Sequence, residues 1–157
     1  MMTLQIGDKI PEFTAKDSFG NDFDSSSIVG KKPVVLYFYP KDNTPGCTAQ
    51  ACSFRDQYED FKDLGAEVVG ISSDSTASHE KFAQRYNLPF TLLSDNDKKI
   101  RKLFGVKPDL FGLIPGRVTY VADQNGIIQL VFDSMNATNH IPKALETIKK
   151  MVSQNPK

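Results

Sequence analysis

The stretch Val34-Val35-Leu36-Tyr37-Phe38-Tyr39-Pro40-Lys41-Asp42-Asn43-Thr44-Pro45-Gly46-Cys47 decides how this chain is read. Its first six residues are a continuous apolar and aromatic run between two prolines, the pattern of a central strand covered on both faces. After the loop from Pro40 to Gly46, the residues Cys47, Ala51, Phe54, Tyr58 and Phe61 recur at spacings of four and three, which is one face of a helix. The helix is expected to open at Cys47 and to end near Gly65. In open α/β sheets function gathers at such a junction, where the carboxyl end of a strand passes into a helix.

Working outward, Phe13 to Lys16 and Asp22 to Asp24 flank the turn signal Gly20-Asn21 and read as a short N-terminal hairpin. Downstream, Glu67 to Ser72 reads as a strand, and Thr76 to Tyr86 as a helix with Asp74 or Ser75 as its cap. Phe90 to Leu93 is a short strand and Asn96 to Phe104 a short helix. Val118 to Val121 and Ile127 to Phe132 form a hairpin through Asp123-Gln124-Asn125-Gly126, and Ile141 to Val152 closes as a helix. Alternating strands and helices that finish in a hairpin predict an α/β fold: a mixed central sheet with helices on both faces. No repeat, low-complexity tract or linker interrupts the chain, so one domain over 1–157 is expected.

Composition narrows the function. The 157 residues are 39% apolar, enough for an ordinary core. Lys and Arg total 19 against 19 for Asp and Glu, so no uniform field is available to hold phosphate backbones or an anionic membrane, and neither nucleic acid nor a membrane is an expected partner. No apolar run approaches the roughly 20 residues of a spanning helix, and the N-terminal residues lack a secretory pattern. A soluble, cytoplasmic protein is expected, with an organelle stroma left open because a removed transit segment leaves no trace. Two cysteines are too few for the disulfide framework of a small secreted domain, which points them toward chemistry.

Cys47 stands at a helix start, where free N–H groups favour a negative charge, and the thiolate is the reactive form of cysteine. Thr44, three residues earlier, can place a hydroxyl beside the sulfur, donating to a bound oxyanion or other substrate oxygen while accepting from a backbone N–H. Pro40 and Pro45 fix loop φ angles. Local context alone also allows Cys47 to be a small buried hydrophobe. Cys52 shifts that balance. Five residues along an ideal helix separate two Cα atoms by about 8 to 9 Å, whereas a disulfide spans about 4.4 to 6.8 Å. A Cys47–Cys52 bond therefore requires local unwinding, which suits a transient bond better than a permanent one.

The string Pro40-x-x-x-Thr44-x-x-Cys47 on a loop entering a helix resembles the active-site signature of peroxiredoxins. Gly46-Cys47-Thr48 followed by Cys52 resembles their peroxiredoxin Q, or bacterioferritin comigratory protein, subgroup. The likeness runs from about Lys9 to the last helix and implies the thioredoxin-like peroxiredoxin fold. It also implies an Arg that supports thiolate and peroxide, a place taken by Arg117 in Gly116-Arg117-Val118-Thr119-Tyr120, and it gives Pro40 the part of pocket shield. The activity implied is reduction of hydrogen peroxide and organic hydroperoxides through a Cys47 sulfenic acid. Cys52 then resolves it into an intramolecular disulfide, recycled by thioredoxin, with glutaredoxin as the alternative. No metal, haem or flavin is called for. The subgroup's habit implies a monomer, and with no cysteine near the C-terminus the intersubunit disulfide of two-cysteine dimers is impossible.

Rival readings are weaker. A thioredoxin-like disulfide oxidoreductase uses Cys-x-x-Cys, whereas four residues lie between Cys47 and Cys52. A zinc module needs ligand spacing that His79 and His140 lack, and both read as ordinary surface or capping histidines. A non-enzymatic redox switch exposing Phe54, Tyr58 and Phe61 is the third. Asp95-Asn96-Asp97-Lys98-Lys99 reads as a solvated helix start, and the apolar loop Phe111 to Gly116 either covers the site or contacts substrate, or simply packs.

Overall fold

A computed structural model describes residues 4–42, 44–106, 117–134 and 139–154. In chain order they form β1 (Thr14–Asp17), β2 (Asp22–Asp24), β3 (Val34–Phe38), α1 (Pro45–Asp63), β4 (Glu67–Ser72), α2 (Thr76–Tyr86), β5 (Thr91–Ser94), α3 (Lys99–Phe104), β6 (Val118–Ala122), β7 (Ile128–Asp133) and α4 (His140–Gln154). The strands make one sheet in the order β2-β1-β5-β4-β3-β6-β7. β3, β4 and β5 run parallel, whereas β1, β2, β6 and β7 join antiparallel, which is the mixed sheet the sequence predicts.

Every residue of β3 is buried because both faces are covered. Val35 and Tyr37, with Tyr39 just beyond the strand, face a core shared with Cys47, Ala51, Phe54, Tyr58 and Phe61 of α1, Phe82 of α2, and Ile141, Ala144 and Ile148 of α4. Val34, Leu36 and Phe38 point the other way, toward Ile10, Phe13, and Ile100 and Phe104 of α3. The expected apolar stripe of α1 is thus its buried face. Among the described residues no helix is long and apolar enough to cross a membrane.

Most boundaries shift by a residue or two, and two helix starts shift for reasons the structure shows. α1 begins at Pro45, two residues before Cys47, because proline at the first helical position gives up no hydrogen bond and already has a helical φ. α3 begins at Lys99, not Asn96, since Lys98 has a left-handed backbone (φ 60°) and the buried Asp95 carboxylate accepts the N–H groups of Ile100 (2.9 Å) and Arg101 (2.9 Å). For α2 the cap is Ser75, whose hydroxyl accepts from the Ser78 N–H at 3.1 Å.

Register positions the site. The pairing of Phe38 with Val118 puts residue 117 beside the carboxyl end of β3, where the chain turns toward Cys47. Close packing fixes the neighbouring strand. Tyr37 pairs with Gly70 of β4, and its ring stacks on Phe54 with centroids 4.6 Å apart. The ring leans over Gly70 so closely that an added Cβ there lies 2.8 Å from Tyr37 Cζ and 2.8 Å from Leu92 Cδ2. Gly70→Ala is expected to destabilise the fold by about 1–3 kcal/mol through overpacking. The urea unfolding midpoint reads this, and an unchanged midpoint shows that the ring can turn away.

Candidate active site

Cys47 occupies the first turn of α1, just before the first i to i−4 bond of the helix, in which the Thr48 N–H donates to the Thr44 carbonyl at 2.8 Å. The thiol is 1% exposed. Arg117, 4% exposed, donates from Nη2 to Cys47 Sγ at 3.3 Å and from Nη1 to Gln50 Oε1. A buried guanidinium is tolerated where its N–H groups meet acceptors, and here an amide oxygen and a sulfur serve. Gln50 is fully buried, and its Nε2, like Arg117 Nε, has no partner among the described residues. The sequence reading passed over Gln50. Its signal is a polar side chain three residues after Cys47, on the apolar stripe.

Other groups bear on the sulfur from beneath. The Tyr37 hydroxyl is pushed well up, first by burial and then by the charge of Cys47, so it stays a neutral phenol. Arg101, also missed, donates from Nη2 to the Tyr39 carbonyl at 2.9 Å and lies 5.6 Å over the Phe38 ring. Burial lowers its pKa, while Asp95 and a Cys47 thiolate favour its charge.

The remaining expected residues fall as follows. Thr44 is the N-cap of α1, yet its hydroxyl makes no capping bond and donates to the Lys41 carbonyl at 2.9 Å. The expected acceptance from a backbone N–H is therefore corrected: the hydroxyl closes a turn back to Lys41 and caps neither the Gly46 nor the Cys47 N–H. Pro40 is half-buried at the end of β3. Cys52 is a half-buried free thiol, two residues before the core residue Phe54. The loop 111–116 lies outside the described residues.

Neither histidine is a surface residue. His79, fully buried on the inner face of α2, sets Nδ1 2.7 Å from Asp42 Oδ2 and Nε2 2.9 Å from the Leu93 carbonyl. With Asp42 and Asp74 it forms a group of potential metal-ligating atoms within 4.8 Å of one another. Those atoms are already engaged: Asp74 Oδ2 accepts from the Asp42 N–H (2.8 Å) and the Ser72 hydroxyl (2.7 Å). His140 is buried at the start of α4, its ring edge-on to Phe132.

The chain matches the AhpC/TSA family over residues 6–131. It is 55% identical over 146 residues to the chloroplastic peroxiredoxin Q of Sedum lineare, covering 92% of this chain and 78% of that one. The chain belongs to the peroxiredoxins, in the peroxiredoxin Q group. Among solved structures, peroxidoxin BcpB of Mycobacterium tuberculosis superposes with a TM-score of 0.87 at 36% identity, covering 94% of this chain and 98% of that one. The bacterioferritin comigratory protein of Xanthomonas campestris, described for its alkyl peroxide reduction, gives 0.80 at 27% identity, covering 88% and 90%. Both confirm the thioredoxin-like peroxiredoxin fold. Peroxiredoxins are thiol-dependent peroxidases recycled by thioredoxin-type reductants, and this chain is an enzyme of that kind. The plant relatives' chloroplast names agree with the stromal alternative and lend no support to the cytoplasmic expectation.

In this peroxiredoxin His140 serves as a neutral prop beside Arg117. Its Nε2–H donates to the Ser134 carbonyl at 2.7 Å, so Nδ1 accepts from the Thr119 hydroxyl at 2.7 Å. Burial lowers its pKa from 6.5 to about 4; the Ser134 bond opposes this and the Arg117 charge adds to it. The unfolded chain therefore binds the extra proton first as pH falls. This contribution to stability is complete above about pH 6.5 and is lost progressively toward pH 4. Urea unfolding across that range should show a steeper loss for the parent than for His140→Gln, and parallel slopes contradict it.

Proposed function

We propose that Cys47 is the nucleophile of this peroxidase, Cys52 its resolving thiol, and Arg117, Thr44 and Pro40 the groups that bind and shape the peroxide. The observation that carries this reading is the buried contact between Arg117 Nη2 and Cys47 Sγ at 3.3 Å. A cation against the sulfur favours the thiolate and stabilises charge that develops on the peroxide oxygens. Thr44, whose proton goes to Lys41, keeps hydroxyl lone pairs to accept the O–H of the peroxide.

The thiolate attacks the O–O bond of ROOH, forming S–O and releasing the alkoxide, which leaves as ROH with one proton. The Cys52 thiol condenses with the resulting sulfenic acid, releasing water and forming a disulfide before the sulfur passes to irreversible acids. A dithiol of the thioredoxin type, with glutaredoxin as the second donor, restores both thiols by exchange. The substrates are hydrogen peroxide and organic hydroperoxides, and the chain works as a monomeric single domain over 1–157 in a reducing compartment, cytoplasmic or stromal.

Cys47→Ser should abolish peroxide consumption, and Arg117→Ala should lower the second-order rate at least tenfold, or about 1.4 kcal/mol. Stopped-flow with thioredoxin as reductant measures both. Appreciable turnover by Cys47→Ser removes the nucleophile assignment, and an unchanged rate for Arg117→Ala removes Arg117.

Both cysteines lie inside α1, so the disulfide requires one to two turns to open. Amide hydrogen exchange over residues 47–54 should be much faster in the disulfide form, while β3 stays protected. Equal protection of 47–54 in both redox states overturns the intramolecular scheme.

A further inference from the structure

We propose that the buried Asp42–His79 pair is a latch that positions the loop ahead of Cys47 from the α2 side and keeps it in place when α1 opens. The inference rests on the peroxidase reading above. Asp42 belongs to the segment between β3 and α1, and its carboxylate is 1% exposed while the His79 side chain is fully buried. Three donors converge on it: the Tyr39 hydroxyl at 2.6 Å on Oδ1, and on Oδ2 the Ser78 hydroxyl at 2.8 Å and the His79 ring at 2.7 Å. The other ring nitrogen faces the Leu93 carbonyl at 2.9 Å, so the imidazole is held between β5 and the loop. The Asp42 N–H is itself tied to Asp74, beyond β4.

The constraint passes to the sulfur through the backbone. Lys41, next to Asp42, receives the Thr44 hydroxyl, and Thr44 receives the first helical N–H of α1. Fixing Asp42 therefore fixes the turn from which the helix carrying Cys47 starts. None of the partners of Asp42 is on α1: Tyr39 ends the β3 segment, Ser78 and His79 are on α2, and Asp74 precedes α2. Opening of α1 leaves the latch intact, so the loop is a fixed template on which the first turn reforms after reduction. Asp42 and His79 are positioning residues, since neither bonds Cys47 or Arg117 among the described contacts.

Single-turnover oxidation of the full chain by one equivalent of hydrogen peroxide, followed by quenched intact mass, separates attack on peroxide from disulfide formation. In His79→Leu the attack step should fall at least tenfold while disulfide formation stays within twofold, and exchange at residues 39–44 should quicken in the reduced form. Asp42→Asn alone, whose amide can donate to the His79 ring and still accept from Tyr39, should keep attack within about threefold of the parent, unlike His79→Leu. A uniform loss of stability moves both steps together. If His79→Leu fails to fold, Tyr39→Phe and Ser78→Ala, each removing one donor to Asp42, should each slow attack two- to fivefold. Unchanged attack rates in the folded variants, or attack and resolution falling in parallel, overturn the latch. An inactive parent defeats the peroxidase reading instead, and the exchange at 39–44 still decides the latch.

Discussion

The antiparallel pairing of β3 with β6, in the register Phe38 to Val118, brings two residues 70 apart in the chain into one buried contact, Arg117 Nη2 on Cys47 Sγ. A guanidinium taken out of water costs several kcal/mol unless its donors are matched, at about the scale of a domain's whole stability. The sheet supplies the force that holds it there. β3 is buried on both faces and gains from every residue, so a slip of β6 by one position would turn Thr119 and Val121 away from the α1 and α4 side along with Arg117. Core packing and site geometry are thus enforced by the same register.

Under the proposed function α1 carries two opposing demands: it holds Cys47 against Arg117 in the reduced protein, and it has to open for a Cys47–Cys52 bond. Its anchorage is unequal along its length: Phe54 stacks on Tyr37 and touches Phe61 and Phe90, whereas the segment before Ala51 presents Gly46, Thr48 and Ala49, of small size, to its surroundings. Aromatic burial of this kind contributes about 3–5 kcal/mol per ring when tested by truncation, so the proposed opening costs least in the turns before Phe54. The proposed disulfide lies within those turns.

Much of this was legible in the sequence, for identifiable reasons. β3, α1 and α2 carry strong periodic or continuous apolar patterns, and their assignments agree with the structure to within two residues. The contact of Cys47 with Arg117 is one that only the signature Pro40-x-x-x-Thr44-x-x-Cys47 and the resemblance it carries point to, since nothing local to Arg117 announces a residue 70 positions away. Gln50, Arg101, His79 and His140 were not found. Each is polar and buried, and burial of a polar group depends on partners from other elements: Arg117 for Gln50, the Tyr39 carbonyl for Arg101, Asp42 for His79, Thr119 for His140. Sequence periodicity reports which face a residue occupies, and His79 does share a face with Phe82, but it does not report who waits there.

Charge at the carboxyl ends of the parallel strands raises a last problem. Asp42 follows β3, Asp74 follows β4 and Asp95 follows β5, so three carboxylates crowd the end of the sheet where the proposed nucleophile Cys47 lies. Like charges nearby disfavour ionisation of a thiol. Each carboxylate, however, is engaged by donors of its own: Asp42 by His79, Ser78 and Tyr39, Asp74 by Ser72 and the Asp42 N–H, and Asp95 by the Ile100 and Arg101 amides of α3. The field of Asp95 is met further by the Arg101 cation. Because these negative charges are satisfied by their own loops and by the helices that follow, the guanidinium at the head of β6 is directed at Gln50 and the sulfur and not drawn off toward an aspartate.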